Sequence, residues 1–104
     1  IMESDFTFVF NDRYPCVPGH KLFIPKQNNS HFVGRSYGMA YDYGNEKIKK
    51  GEMDGFNVGM NLGICAGQTI MWPHIHFIPR HKNDSKEIGG MRHAHPSADH
   101  KNYY

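Results

Sequence analysis

Apolar and polar positions alternate in four stretches of this chain and recur at helical spacing in a fifth. Phe6-Thr7-Phe8-Val9-Phe10 alternates and is rich in β-forming residues, which predicts a strand with Phe6, Phe8 and Phe10 on one face. That face is expected to be core, at least in part. Asn11-Asp12-Arg13-Tyr14-Pro15 closes the strand as a turn, with Asp12 able to cap its own backbone. Pro18-Gly19 makes a second turn, and a strand runs on to Pro25 with Leu22 and Ile24 on the same face as His20.

Gln27-Asn28-Asn29-Ser30 is a polar N-cap region. From His31 to about Lys50, Val33, Tyr37, Ala40, Tyr41, Gly44 and Ile48 recur at three and four, the signature of an amphipathic helix. Each of Gly34, Gly38 and Gly44 costs that helix roughly 1 kcal/mol relative to Ala, so it depends on packing. Gly34 and Gly38, four apart, would admit close approach of another helix. Gly51 stops the helix, and Phe56 to Gly63 reads as a third strand. Asn57, Gly59 and Asn61 share one of its faces, which wastes core area unless a ligand or another backbone meets it.

The last strand carries the chemistry. In Trp72-Pro73-His74-Ile75-His76-Phe77-Ile78-Pro79-Arg80, two imidazoles point one way and Ile75 and Phe77 the other. Strand geometry separates His74 from His76 by about 6.5 Å. Just upstream, Gly67-Gln68-Thr69 is a small polar turn whose backbone N–H groups suit an anion.

Length and composition narrow the setting. The chain has 104 residues, one domain's worth, and 38% apolar content makes for a modest core. Such a domain gains from burying further surface by dimerising. The formal charge of +2 is too small for a nucleic-acid footprint but suits a phosphate-bearing ligand. Cys16 and Cys65 have neither zinc-knuckle nor disulfide-framework spacing and are read as reduced thiols of a cytoplasmic protein. No apolar run reaches membrane-spanning length and no signal-peptide pattern opens the chain, although its Ile1-Met2 start leaves room for an upstream segment. Residues 93–104 form a polar tail, and the H-x-H of His93 and His95 in it, with His100, is not read as a specific metal site.

The motifs resemble the histidine triad (HIT) family of nucleotide hydrolases and transferases, from about Phe6 to Arg92. Gly67-Gln68-Thr69 followed by the alternating histidines matches the family pattern, and it places the three triad positions on Trp72, His74 and His76. The first is tryptophan here. Pro18-Gly19-His20 and Gly55 to Gly63 match two further family segments, and Gly89-Gly90-Met91-Arg92 resembles one common in bacterial-type (or phage) members.

The resemblance implies an α+β, HIT-like fold: an antiparallel sheet of about five strands with one main helix, forming a homodimer. It implies catalytic roles for His74 as nucleophile, with His76, His20 and Thr69. It implies that Asp12 binds ribose hydroxyls; beside it, part of the Phe6, Phe8 and Phe10 face, with Phe10 in it, is read from the residues as an apolar slot for a nucleobase. Asn61, Gly67, Gln68 and Trp72 would complete the substrate-binding set, with Gln68 mainly orienting the loop. Arg92 would approach distal phosphates or pair on the surface. The expected activity is hydrolysis, or nucleotidyl transfer, at the α-phosphate of a dinucleoside polyphosphate or nucleotide conjugate. It would pass through a nucleotidyl-histidine and release a nucleoside monophosphate. No cofactor is required, although a divalent metal can accompany the substrate. Neither a membrane nor a nucleic acid is expected as partner. The alternative is a non-catalytic nucleotide-binding module, for which Trp72 and a helix shorter than the family's are the motives.

Overall fold

The computed structural model describes residues 2–85 and 90–98. β1 (Met2–Glu3), β2 (Thr7–Asn11), β3 (Lys21–Pro25), β4 (Gly55–Gly59) and β5 (Ile75–Arg80) form one antiparallel sheet in the order β1-β2-β3-β5-β4. A single helix, α1 (Ser30–Lys49), connects β3 to β4. This is the expected α+β architecture. The one strand without a sequence signal is β1, which is two residues long and exists by pairing Met2 with Val9 and Glu3 with Phe8.

The ends of α1 follow local chemistry. Asn29 caps it by accepting the Phe32 N–H at 2.9 Å. Lys47 and Lys49 sit in its last turn, where cations suit the dipole. Gly51 then takes φ 73°, a left-handed conformation that ends the helix. The helix lays Ser36, Ala40 and Gly44 on one face of the sheet, whose side of the core is Val9, Phe23, Ile75 and Phe77. Phe77 stacks on Phe56 with centroids 5.1 Å apart and meets Tyr43 edge-on at 5.1 Å. Burying a side chain of that size contributes roughly 1.5–3 kcal/mol.

The face of β2 that meets the helix is the opposite of the one expected. Thr7 and Val9 are buried, while Phe8 and Phe10 are 37% and 39% exposed. Alternation alone cannot tell the two faces apart once both are partly apolar. Ser36 decides it: its hydroxyl donates to the Phe32 carbonyl at 2.9 Å and meets Thr7 Oγ1 at 2.7 Å, so the polar atom of Thr7 is satisfied inside. Phe6 packs edge-on against His31 and Phe32 at the start of α1.

The uncovered face is the one that matters for chemistry. Registers place Phe10 opposite Leu22, Leu22 opposite His76 and His76 opposite Gly59, one row across four strands. The third strand is shorter than expected and ends at Gly59, leaving Asn61 exposed in the following loop. Its polar face is accounted for within the chain: Asn57 Oδ1 accepts from Arg80 at 2.8 Å, and Met91 covers Gly59, where an added Cβ would lie 3.0 Å from the Met91 methyl. Arg80 also forks onto both oxygens of Asp84 at 2.9 Å, which holds that carboxyl well below the usual carboxylate range. Part of the expected polar tail is ordered as a 3₁₀ turn, Met91–Ala94. Gly89, His100 and the rest of the tail beyond Ala98 lie outside the described residues. Among the described residues no helix is long and apolar enough to cross a membrane.

Candidate active site

Three histidines from two strands meet on the open face. His76 lies within β5, His74 immediately before it, and His20 immediately before β3. The His74 and His76 rings are 5.2 Å apart and edge-on, closer than an ideal strand's side-chain spacing, and His20 and His76 are 5.1 Å apart. His20 is 6% exposed and stands behind His76, whose side chain is 26% exposed. His74 is half-buried.

His74 is held by the main chain. Its Nδ1 bonds the Trp72 carbonyl at 2.9 Å. A carbonyl only accepts, so Nδ1 carries the proton and Nε2 the lone pair. The segment before it is anchored on both sides: the Trp72 indole N–H donates to the Pro25 carbonyl at 2.9 Å, and Pro73 is buried. Trp72 remains 46% exposed.

Asp12 does more than turn the chain. Its Oδ1 accepts the Tyr14 N–H at 2.8 Å, the local cap anticipated from its position, while Oδ2 lies 3.2 Å from His20 Nε2 and 3.7 Å from His76 Nδ1. Sequence offers no sign of this contact, because the turn and the strand are joined only through the sheet. Burial lowers the His76 pKa, as do the neighbouring His20 and His74, with Asp12 opposing, so His76 is neutral around pH 7.

The Asp12, His20 and His76 donor atoms lie within 4.8 Å of one another, a spacing that suits a metal ion. His20, however, accepts the Cys16 N–H on Nδ1 at 3.2 Å. A metal-ligating histidine ordinarily donates its second ring nitrogen to an acceptor. As it stands, the Cys16 N–H occupies the ring nitrogen with which a ligating His20 would donate, and the three side chains are joined to one another by hydrogen bonds.

The loop before β5 departs from the expected anion cradle. Residues Ile64–Ala66 form a 3₁₀ turn. The N–H groups of Gly67 and Gln68 are spent on the Ile64 and Gly63 carbonyls at 3.0 and 3.1 Å. Gln68 is 6% exposed and uses its amide to accept from Gly63 N–H and donate to the Ile70 and Met71 carbonyls, so it shapes the loop from within. Gly67 has φ 96°, which a side chain would strain, and Asn61 sits beside it. Thr69 is exposed, and among the described residues no hydrogen bond engages its N–H or hydroxyl. Cys16 and Cys65 are both exposed free thiols. Two shallow hollows of about 460 and 390 Å³ flank α1, the second lined by Tyr37, Tyr41, Phe56 and Val58; neither touches the histidines.

Residues 1–83 match the family described as the HIT domain. An adenylylsulfatase of Arabidopsis thaliana is 32% identical over 91 residues, covering 81% of this chain and 46% of that protein. An adenosine 5'-monophosphoramidase of Saccharomyces cerevisiae is 29% identical over 93 residues, covering 86% of this chain and 59% of that protein. The chain thus spans about half the length of these two relatives. Among solved structures, a zinc-bound histidine triad family protein of Mycobacterium smegmatis superposes with a TM-score of 0.75 at 24% identity, over 86% of this chain and 70% of that one. The chain belongs to the HIT domain family.

Proposed function

We propose that this HIT domain chain is a nucleotide hydrolase in which His74 attacks an α-phosphorus. The observation that carries the reading is the His74 Nδ1 bond to the Trp72 carbonyl, which leaves Nε2 as a lone pair on the open face. The bond from Nε2 to phosphorus forms as the bond to the leaving oxygen or nitrogen breaks. Water then attacks the nucleotidyl-His74, the P–N bond breaks, and a nucleoside monophosphate leaves. With Trp72 at the first triad position the acceptor for His74 survives, since every residue brings a carbonyl.

In this reading His76 and Thr69 would meet the phosphoryl oxygens. Asn61 would flank the same oxygens from beside Gly67. Asp12 retains a lone pair on each oxygen for a ribose hydroxyl, and Phe10, in the row with Leu22 and His76, would form part of the base slot. The names of the two relatives support phosphoramidates or mixed anhydrides of nucleotides as substrates. A homodimer formed across α1 and β4 would cover the small apolar hollow at Tyr37, Tyr41, Phe56 and Val58.

The test is a panel of nucleotide conjugates and dinucleoside polyphosphates, with an alkaline workup that preserves the P–N bond and mass spectrometry to find a nucleotidyl adduct. The adduct is expected on the peptide containing His74 and absent from His74→Ala. Equal monophosphate release by the two proteins would remove the mechanism. Nucleotide binding with neither adduct nor turnover would select the binding-module alternative.

A further inference from the structure

The hydrogen bonds around His20 determine where the imidazole protons sit. The Cys16 backbone N–H reaches His20 Nδ1 at 3.2 Å. An amide N–H only donates, so His20 Nδ1 holds a lone pair and its proton is on Nε2. That Nε2 lies 2.9 Å from His76 Nδ1 and 3.2 Å from Asp12 Oδ2. Two N–H groups cannot face each other across 2.9 Å, so His76 Nδ1 must be the acceptor. The proton of neutral His76 is thereby placed on Nε2.

Asp12 would set the opposite pattern. Its Oδ2 is 3.7 Å from His76 Nδ1. With no N–H arriving from His20, the carboxylate would draw the His76 proton onto Nδ1 and leave a lone pair on Nε2. Both His74 and His76 would then turn lone pairs toward an anionic phosphate. With the His20 proton in place, one ring offers a lone pair to phosphorus and its neighbour, 5.2 Å away, offers an N–H to oxygen.

We infer that His20 is a positioning residue: locked by the Cys16 main-chain N–H as the Nε2–H tautomer, it holds His76 as an Nε2–H donor against the pull of Asp12. The inference rests on the hydrolase reading only for the role of that donor. The tautomers themselves are a property of the free protein. They also assign a function to the near-complete burial of His20 behind His76.

Long-range ¹H–¹⁵N correlation spectra of the labelled protein near neutral pH test it directly. The expected result is a proton on Nε2 of His20 and of His76 and on Nδ1 of His74. A proton on Nδ1 of His20 or of His76 overturns the inference. His20→Gln and His20→Leu supply the functional arm. The glutamine amide can still donate to His76, so the Gln variant should keep His76 as Nε2–H and stay within about tenfold of the parent kcat. The Leu variant should move the His76 proton to Nδ1 and lose roughly a hundredfold or more in kcat, the scale of one lost oxyanion donor, with KM little changed. Equal losses in both, with His76 unchanged in the spectra, would reduce His20 to a packing residue and overturn the inference. Absence of a nucleotidyl-His74 adduct while the tautomers come out as stated would instead remove the hydrolase reading alone.

Discussion

The indole N–H of Trp72 is bonded to the Pro25 carbonyl at 2.9 Å, and the carbonyl of the same Trp72 is bonded to the His74 ring at 2.9 Å. One residue thus ties the end of β3 to the start of β5 with its side chain and orients an imidazole with its main chain. The two jobs are separable. Trp72→Phe is expected to lose about 0.5–1.5 kcal/mol of stability, one net hydrogen bond, in a denaturant titration. The His74 Nδ1–H tautomer should persist in ring-nitrogen spectra of the same variant.

His76 gives the site a stability signature in pH. Its folded pKa lies below the ordinary 6.5, with burial the main cause. Between the folded value and 6.5 the unfolded chain binds more protons than the native one. Stability from this group is therefore complete above 6.5 and declines as pH falls toward the folded value. In parallel denaturation series, wild type should lose stability relative to His76→Asn on acidification through that window. Coincident pH dependences would contradict it.

The buried hydroxyl pair of Thr7 and Ser36, 2.7 Å apart, fixes which face of β2 turns inward. Ser36→Ala leaves Thr7 Oγ1 without its partner and should cost about 1–3 kcal/mol. Adding Thr7→Val removes the stranded hydroxyl, and the double variant should recover part of that loss, giving a coupling energy in a double-mutant cycle.

Two helix glycines should respond in opposite directions to alanine. A Cβ on Gly44 would lie 2.3 Å from Phe56 Cε1, so Gly44→Ala must displace a ring of the core, at an expected cost of about 1–3 kcal/mol. Nothing lies within 4 Å of a Cβ on Gly34, so Gly34→Ala should gain about 0.4–1 kcal/mol from helix propensity. Thermal or chemical denaturation of the two variants side by side reads both signs.

Much of the framework was legible because it is local. The helix from Ser30 to Lys49 announced itself by spacing, by Asn29 at its start and by Gly51 after it. Four of the five strands carried alternation, and the parity of His74 and His76 placed both imidazoles on one side. Resemblance to the family singled out His20 and Asp12, but as separate contributors. What alternation could not supply was which face α1 would cover, since Phe8 and Val9 are equally apolar and only the Thr7–Ser36 contact distinguishes their sides.

By itself, then, the sequence determined the elements and which side chains share a face, because those follow from backbone periodicity within a few residues. The tertiary structure alone decided that Asp12, His20 and His76 form one hydrogen-bonded junction across β3 and β5. It also decided that the Cys16 N–H and the Trp72 carbonyl orient its imidazoles. Every residue has such main-chain groups, so no choice of side chain marks the two that are used. Only the pairing of strands distant in the chain brings them within a hydrogen bond of a ring.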